Sequence, residues 1–134
     1  MTPDHHRGYR LGQLFIVLEV LTVVTHGSNL ASGDPLVAVQ IIGAMWSLAL
    51  AAAAGTRQPR GWHMLLAGLL GRIGFRLFAL ASYVEHYGWP PLWSLFITVP
   101  LWLTDLLWFA YFYRRRTTFG AGRRWPWVER LGLR

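Results

Sequence analysis

The 134-residue chain contains no cysteine and no lysine, and its 13 arginines are accompanied by only 6 acidic residues. The absence of cysteine excludes disulfide bonds, thiolate metal sites and cysteine nucleophiles. Charged residues make up 14% of the chain, whereas an average soluble domain carries about 25%. Hydrophobic residues make up 54% and aromatic residues 15%. This composition argues against a soluble domain and indicates a membrane protein.

The net charge of +7 is unevenly distributed along the chain. Residues 11–113 hold four acidic residues and four arginines and are therefore neutral, so that most of the positive charge follows residue 113. A basic nucleic-acid-binding domain would instead spread its arginines over a folded polar surface. We therefore expect no nucleic acid partner.

Four stretches of the chain are long and apolar enough to cross a membrane. A spanning helix needs about 20 apolar residues, and residues 11–30, 36–54, 62–84 and 92–113 meet this requirement. Turns that contain glycine or proline separate them, and short connectors make neighbouring helices antiparallel. Glu19, in the middle of the first stretch, argues against a cleaved signal peptide. We therefore expect an all-α integral membrane protein built as an antiparallel four-helix transmembrane bundle.

The orientation of this bundle follows from the arginines. The bundle is expected to occupy residues 1–113, and residues 114–134 are expected to form a short basic cytoplasmic tail that contains tryptophan. All arginines outside the third span fall on one side of the predicted spans, and the opposite loops have none. The positive-inside rule then places both termini in the cytoplasm, and we expect the protein in a bacterial inner membrane.

Aromatic residues near the ends of the spans predict two interfacial belts, because their amphipathic rings favour the level of the lipid headgroups. The expected inner belt consists of Tyr9, Trp62, Tyr111 and Tyr113, and the expected outer belt consists of Tyr87, Trp89 and Trp93.

Charged residues inside the spans form the candidate site. At 1.5 Å per helical residue, Glu19 and Arg72 lie near the membrane midplane, Arg76 lies about one turn further outward, and Asp105 lies slightly on the cytoplasmic side. A lone charge that faced lipid would cost several kcal/mol. We therefore expect the spans to turn these groups toward one another in an intramembrane salt-bridged network. Its expected members are Glu19, Arg72, Arg76, Asp105, Gln40 and His26.

The sequence leaves the role of this network open between two interpretations. In the functional interpretation, it is an ion- or proton-coupled site or a polar site for an anionic head group. In the structural interpretation, it is an ion network that only orients the helices. A third possibility is that one of its charges meets a partner subunit. His26 has no second ligand three or four residues away, so we expect neither a metal site nor a cofactor.

The C-terminal tail mixes arginine with tryptophan and is the second candidate site. Such a segment is expected to lie on an anionic lipid surface, where each arginine adds about 1 kcal/mol. For the first three arginines, the preferred alternative is that they are only the stop signal of the last span. The two tryptophans are harder to explain in that way and favour an interfacial anchor or a partner-docking surface. The residues concerned are Arg114, Arg115, Arg116, Arg123, Arg124, Trp125 and Trp127.

Three functions fit these features. We expect an accessory or assembly subunit of a larger membrane complex, of the respiratory or photosynthetic type, with other membrane subunits as partners. The alternatives are a homo-oligomeric proton-coupled transporter that uses Glu19 or Asp105, and a membrane-embedded enzyme that acts on a lipid or isoprenoid. No clear inverted repeat supports the transporter, and no nucleophile motif, metal cluster or phosphate loop supports the enzyme.

Overall fold

The computed structural model describes residues 9–121 and 124–133, and the regular structure within them is helical. Four long helices come first, followed by a short 3-10 helix and a final helical turn. They are α1 (Arg10–Ala31), α2 (Val37–Thr56), α3 (Pro59–Tyr87), α4 (Leu92–Arg114), the 3-10 helix (Arg116–Phe119) and α5 (Pro126–Arg130). Helices α1 to α4 are long and apolar enough to cross a membrane, and each carries one of the predicted spans. The chain thus has the helices of an integral membrane protein.

The helices end where the backbone departs from helical geometry. Gly33 and Gly88 adopt φ angles of 81° and 79°, which residues with a Cβ rarely adopt. Arg57 follows α2 with a φ of 50°, and Pro59 then begins α3, where the missing N–H of proline costs no helical hydrogen bond. The connectors between the long helices are therefore only a few residues long.

Most of the buried apolar side chains lie at one end of the molecule, which we call the basic end. Here the Tyr9 hydroxyl donates to the Ala54 carbonyl, and the Trp62 indole N–H donates to the Phe112 carbonyl over 2.8 Å. The start of α1 therefore lies beside the end of α2, and the start of α3 lies beside the end of α4. The buried side chains gathered around these contacts include Phe15, Leu50, Leu65, Leu66, Leu69, Tyr113, Phe119 and Val128.

The segment that follows α4 packs onto the basic end. The Trp125 ring meets the edge of Trp62 with the centroids 5.7 Å apart. The Tyr113 hydroxyl accepts a hydrogen bond from the Trp125 amide over 3.0 Å and donates to the Glu129 carboxylate over 3.1 Å. Val128 on α5 is fully buried. The tail is thus joined to the helical core by hydrogen bonds and by aromatic contacts.

Close contact between α2 and α3 depends on two glycines. The Trp46 indole N–H donates to the Gly68 carbonyl over 2.9 Å. A Cβ at Gly71 would lie 2.7 Å from the Trp46 ring, and a Cβ at Gly68 would lie 2.6 Å from Leu50. These glycines therefore serve packing within the chain, because the missing Cβ lets the side chains of α2 reach the backbone of α3.

Candidate functional site

Four charged side chains from three helices meet in ion pairs, and we call them the charge quartet: Glu19, Arg72, Arg76 and Asp105. Arg72 donates from Nη1 to Glu19 over 2.7 Å. It also binds both oxygens of Asp105, from Nη2 over 2.6 Å and from Nε over 3.2 Å. Arg76 donates from Nη1 to Asp105 as well. Asp105 therefore neutralises two arginines, and Arg72 bridges two carboxylates.

The quartet is formally neutral, and its acidic side chains are less exposed than its arginine side chains. The side chains of Asp105 and Glu19 are 2% and 6% exposed, whereas those of Arg72 and Arg76 are 10% and 25% exposed. The carboxylates are therefore covered, and the guanidinium groups form the accessible side. Groups buried in this way are stable only when every charge has its partner.

The helices bring the quartet together because each charge continues a buried apolar stripe. On α1 the buried positions are Gly12, Phe15 and Glu19, which are three and four residues apart and so share one helical face. The same spacing places Arg72 after Leu65 and Leu69 on α3, and Asp105 before Phe109 and Phe112 on α4. The hydrophobic periodicity of the three helices therefore turns Glu19, Arg72 and Asp105 toward the same place in the bundle.

His26 and Gln40 form a second polar group between the last turns of α1 and the first turn of α2. The Gln40 side chain donates to Asp34 over 3.1 Å, so its oxygen is left to accept from His26 Nδ1 and from Asn29 over 3.4 Å. Gly43 makes room for the imidazole, since a Cβ there would lie 2.6 Å from the ring. The six predicted network residues therefore fall into two groups, the quartet and the His26–Gln40 pair.

A cavity of about 410 Å³ separates these two groups, and we call it the central cavity. His26 lines one side and Arg72 and Arg76 line another, together with Trp46 and Phe75. It adjoins a groove of about 550 Å³ between α3 and α4 and a groove of about 460 Å³ beside α2 and α3. Ala79 borders all three spaces.

These spaces exist because the packing is uneven along α3. Its first half contributes the buried residues Leu65, Leu66 and Leu69, and Arg72 is the last buried position. No residue of 73–87, all of which the structure describes, is buried. The helices are therefore tightly packed from the basic end up to the quartet and open beyond it.

The tail residues are placed in several different ways. Arg115 and Arg116 lie over the rings of Tyr111 and Tyr113, 5.5 and 5.6 Å from the centroids. Arg124 lies 3.9 Å from Glu129 in an exposed ion pair, Arg114 is exposed, and Arg123 lies outside the described residues. Trp125 stacks on His63 and is half-buried, whereas Trp127 is exposed. Docking of the tail to lipid or to a partner stays a prediction.

The expected inner aromatic belt is wrong for three of its members. Tyr9, Trp62 and Tyr113 are fully buried, because the tail and the loop after α2 cover them. Arg57 lies 4.3 Å above the Tyr9 ring, and burial raises the pKa of Tyr9 to about 12 although that charge opposes the shift. Tyr9 therefore stays protonated and donates to Ala54. An aromatic residue at the end of a span has the same sequence signature whether lipid or tail covers it. The expected outer-belt residues Tyr87, Trp89 and Trp93 are exposed.

Within the part of the chain that the structure describes, no three His, Asp or Glu side chains lie close enough to hold a metal ion. Comparison of the chain with protein-family models, with curated proteins and with solved structures finds no match.

Proposed function

We propose that this protein is an accessory or assembly subunit of a larger membrane complex, of the respiratory or photosynthetic type, in which the charge quartet holds its helices together. The observation that carries this proposal is the state of Asp105, which is covered and binds an arginine with each oxygen. A proton carrier has to exchange protons with its surroundings. Protonation of Asp105 would leave Arg72 and Arg76 with one carboxylate between them, inside the hydrocarbon layer.

The open half of α3 supports a role within an assembly. Phe78 is 69% exposed, and none of residues 73–87 is fully buried within the chain. Membrane helices associate through van der Waals packing of close surfaces, and this half of α3 offers a neighbouring subunit a surface that its own chain leaves uncovered. We therefore place the subunit contact on the outer half of α3.

Copurification from native membranes tests the subunit role. We expect a hetero-complex of fixed stoichiometry in mild detergent, and we expect Phe78→Ala to weaken it because the variant removes a ring from the proposed contact. Leu107→Ala is the matched control, since Leu107 is also exposed, at 71%, but lies on α4. A lone homodimer, or a complex that Phe78→Ala leaves intact, would contradict the proposal.

We further propose that the four helices cross the membrane in antiparallel order with both termini in the cytoplasm of a bacterium. The contacts at the basic end support this order, because they pair the start of one helix with the end of the next. Arg57, Arg60 and the tail arginines that the structure describes lie at that same end, as the positive-inside rule requires. Their charge also supports anionic lipids as partners of the tail.

Single introduced cysteines test this topology, because the chain has no cysteine of its own. Ser32 and Trp89 are exposed and lie in the two loops opposite the basic end, and Thr117 is exposed in the tail. We expect cysteines at Ser32 and Trp89 to react with an impermeant thiol reagent added to intact cells. A cysteine at Thr117 is expected to react only after permeabilisation. Labelling at Thr117 alone in intact cells would reverse the orientation.

A further inference from the structure

We propose that the central cavity binds the uncharged carbonyl head of a lipid-soluble molecule. The accessible charged groups of the cavity are guanidinium donors, because Arg72 and Arg76 line it and the carboxylates are covered behind them. Arg76 is the most exposed member of the quartet. An oxygen that enters the cavity therefore meets hydrogen-bond donors.

Because the quartet is already neutral, it favours an uncharged ligand. Its two carboxylates already balance its two arginines. A carboxylate or phosphate head would bring an uncompensated negative charge into the hydrocarbon layer, which costs several kcal/mol, and a cation would meet the arginines first. An uncharged acceptor such as a carbonyl oxygen accepts from Arg76 without changing the total charge.

The walls of the cavity select an apolar body for the same ligand. The rings of Trp46 and Phe75 line it, with centroids 5.8 Å apart. The adjoining α3–α4 groove is bordered by Tyr83, Pro91 and Trp93, and it gives a chain a route to the surrounding lipid. Ligand pockets of this kind enclose roughly 300–1,000 Å³. A quinone ring and a fatty acyl ester share the required chemistry, a carbonyl oxygen on an apolar body.

Photo-crosslinking of the purified full chain in dodecyl maltoside tests this site, because that detergent has no carbonyl group. The probe is a long-chain methyl ketone that carries a diazirine. We expect crosslinks at residues that line the cavity, and we expect excess unlabelled ketone to suppress them in a saturable way. Competition by a decyl-substituted benzoquinone or by methyl palmitate then shows which source of the carbonyl is bound.

Two variants separate the site from general hydrophobic labelling. Ala79→Phe fills the cavity without changing charge, and Ala81→Phe is its control because Ala81 faces outward two residues away. Arg76→Met removes the donor at similar size. We expect Arg76→Met to lose about tenfold in labelling, the effect of one hydrogen bond from a charged donor. We expect Ala79→Phe to lose labelling by steric exclusion and Ala81→Phe to keep it. If Arg76→Met fails to fold, the comparison of Ala79→Phe with Ala81→Phe still tests the proposed site.

Three outcomes would overturn the assignment: unchanged labelling in Ala79→Phe, competition by heptadecane as strong as by the ketone, or strongest competition by palmitate anion. The measurement uses the isolated chain. Its result is therefore independent of whether the protein copurifies with other subunits.

Discussion

Asp105→Asn is expected to destabilise the protein by about 3–5 kcal/mol, the cost of breaking a buried ion pair by removing one partner. Asp105 accepts from both arginines of the quartet, so its loss leaves two guanidinium groups with one carboxylate. Glu19 binds Arg72 alone, so we expect a smaller loss from Glu19→Gln. The measurement is unfolding in detergent micelles with increasing SDS, followed by tryptophan fluorescence.

A second substitution shows whether the loss comes from charge. Asp105→Asn combined with Arg76→Gln leaves Glu19 and Arg72 as a neutral pair, and we expect most of the lost stability to return. Asp105→Asn combined with Arg60→Gln makes the same change in net charge far from the quartet, at an exposed position in the first turn of α3, and is expected to restore nothing. Together with the single variants Arg76→Gln and Arg60→Gln, these pairs complete two double-mutant cycles, and only the cycle with Arg76 is expected to show coupling to Asp105.

The same cycle distinguishes the proposed subunit from a proton-coupled transporter. A structural quartet needs only cancellation of charge, and Arg76→Gln keeps an N–H donor toward the central cavity. The stable double variant with Arg76→Gln is therefore expected to assemble and function. A transporter that carries protons on Asp105 needs a carboxylate that titrates. A double variant that folds and assembles normally yet has no activity at any pH would contradict the subunit proposal.

Trp62→Ala is expected to cost about 3–5 kcal/mol, the range for truncation of a buried tryptophan. Trp62 is 0% exposed, donates to the Phe112 carbonyl and contacts Trp125. The substitution therefore opens the core and also removes the surface on which the tail packs. Protection of residues 124–133 from added protease gives a second readout besides unfolding in SDS.

Trp89→Ala is the matched control for this substitution, because Trp89 is 77% exposed in the loop before α4. We expect it to change stability by at most about 0.5 kcal/mol, as exposed positions do. Trp62→Phe keeps most of the ring volume and removes the donor, so it measures the hydrogen bond separately. Equal stability of Trp62→Ala and Trp89→Ala would show that the basic end is not the core of the protein.

The helices could be predicted from the sequence because their signal is local. Each span is an apolar run of about 20 residues between turn residues, and a run of that length predicts a membrane-spanning helix. The meeting of Glu19, Arg72 and Asp105 also followed from the sequence, since an isolated charge in hydrocarbon is so costly that few arrangements remain.

The features that the sequence did not predict depend on distant contacts. Trp62 and Tyr9 have the pattern of interfacial residues, and only the return of the tail over the helix ends buries them. The pairing of Arg76 with Asp105, rather than with Glu19, depends on how α3 and α4 approach each other. The opening beyond Arg72 likewise has no local signature, because an apolar stretch is equally apolar whether helix or lipid faces it.

The quartet also constrains the order in which the chain enters a membrane during synthesis. Helices α1 to α3 contain Glu19, Arg72 and Arg76, so a nascent chain that ends before α4 carries one arginine in excess. Asp105 on α4 supplies the missing counter-charge. We therefore expect stable insertion of α3 to require α4, so that the two helices leave the translocon together as a hairpin. A chain truncated before Asp105 would retain an unpaired guanidinium group within its spans, and this uncompensated charge would distinguish it from the full chain.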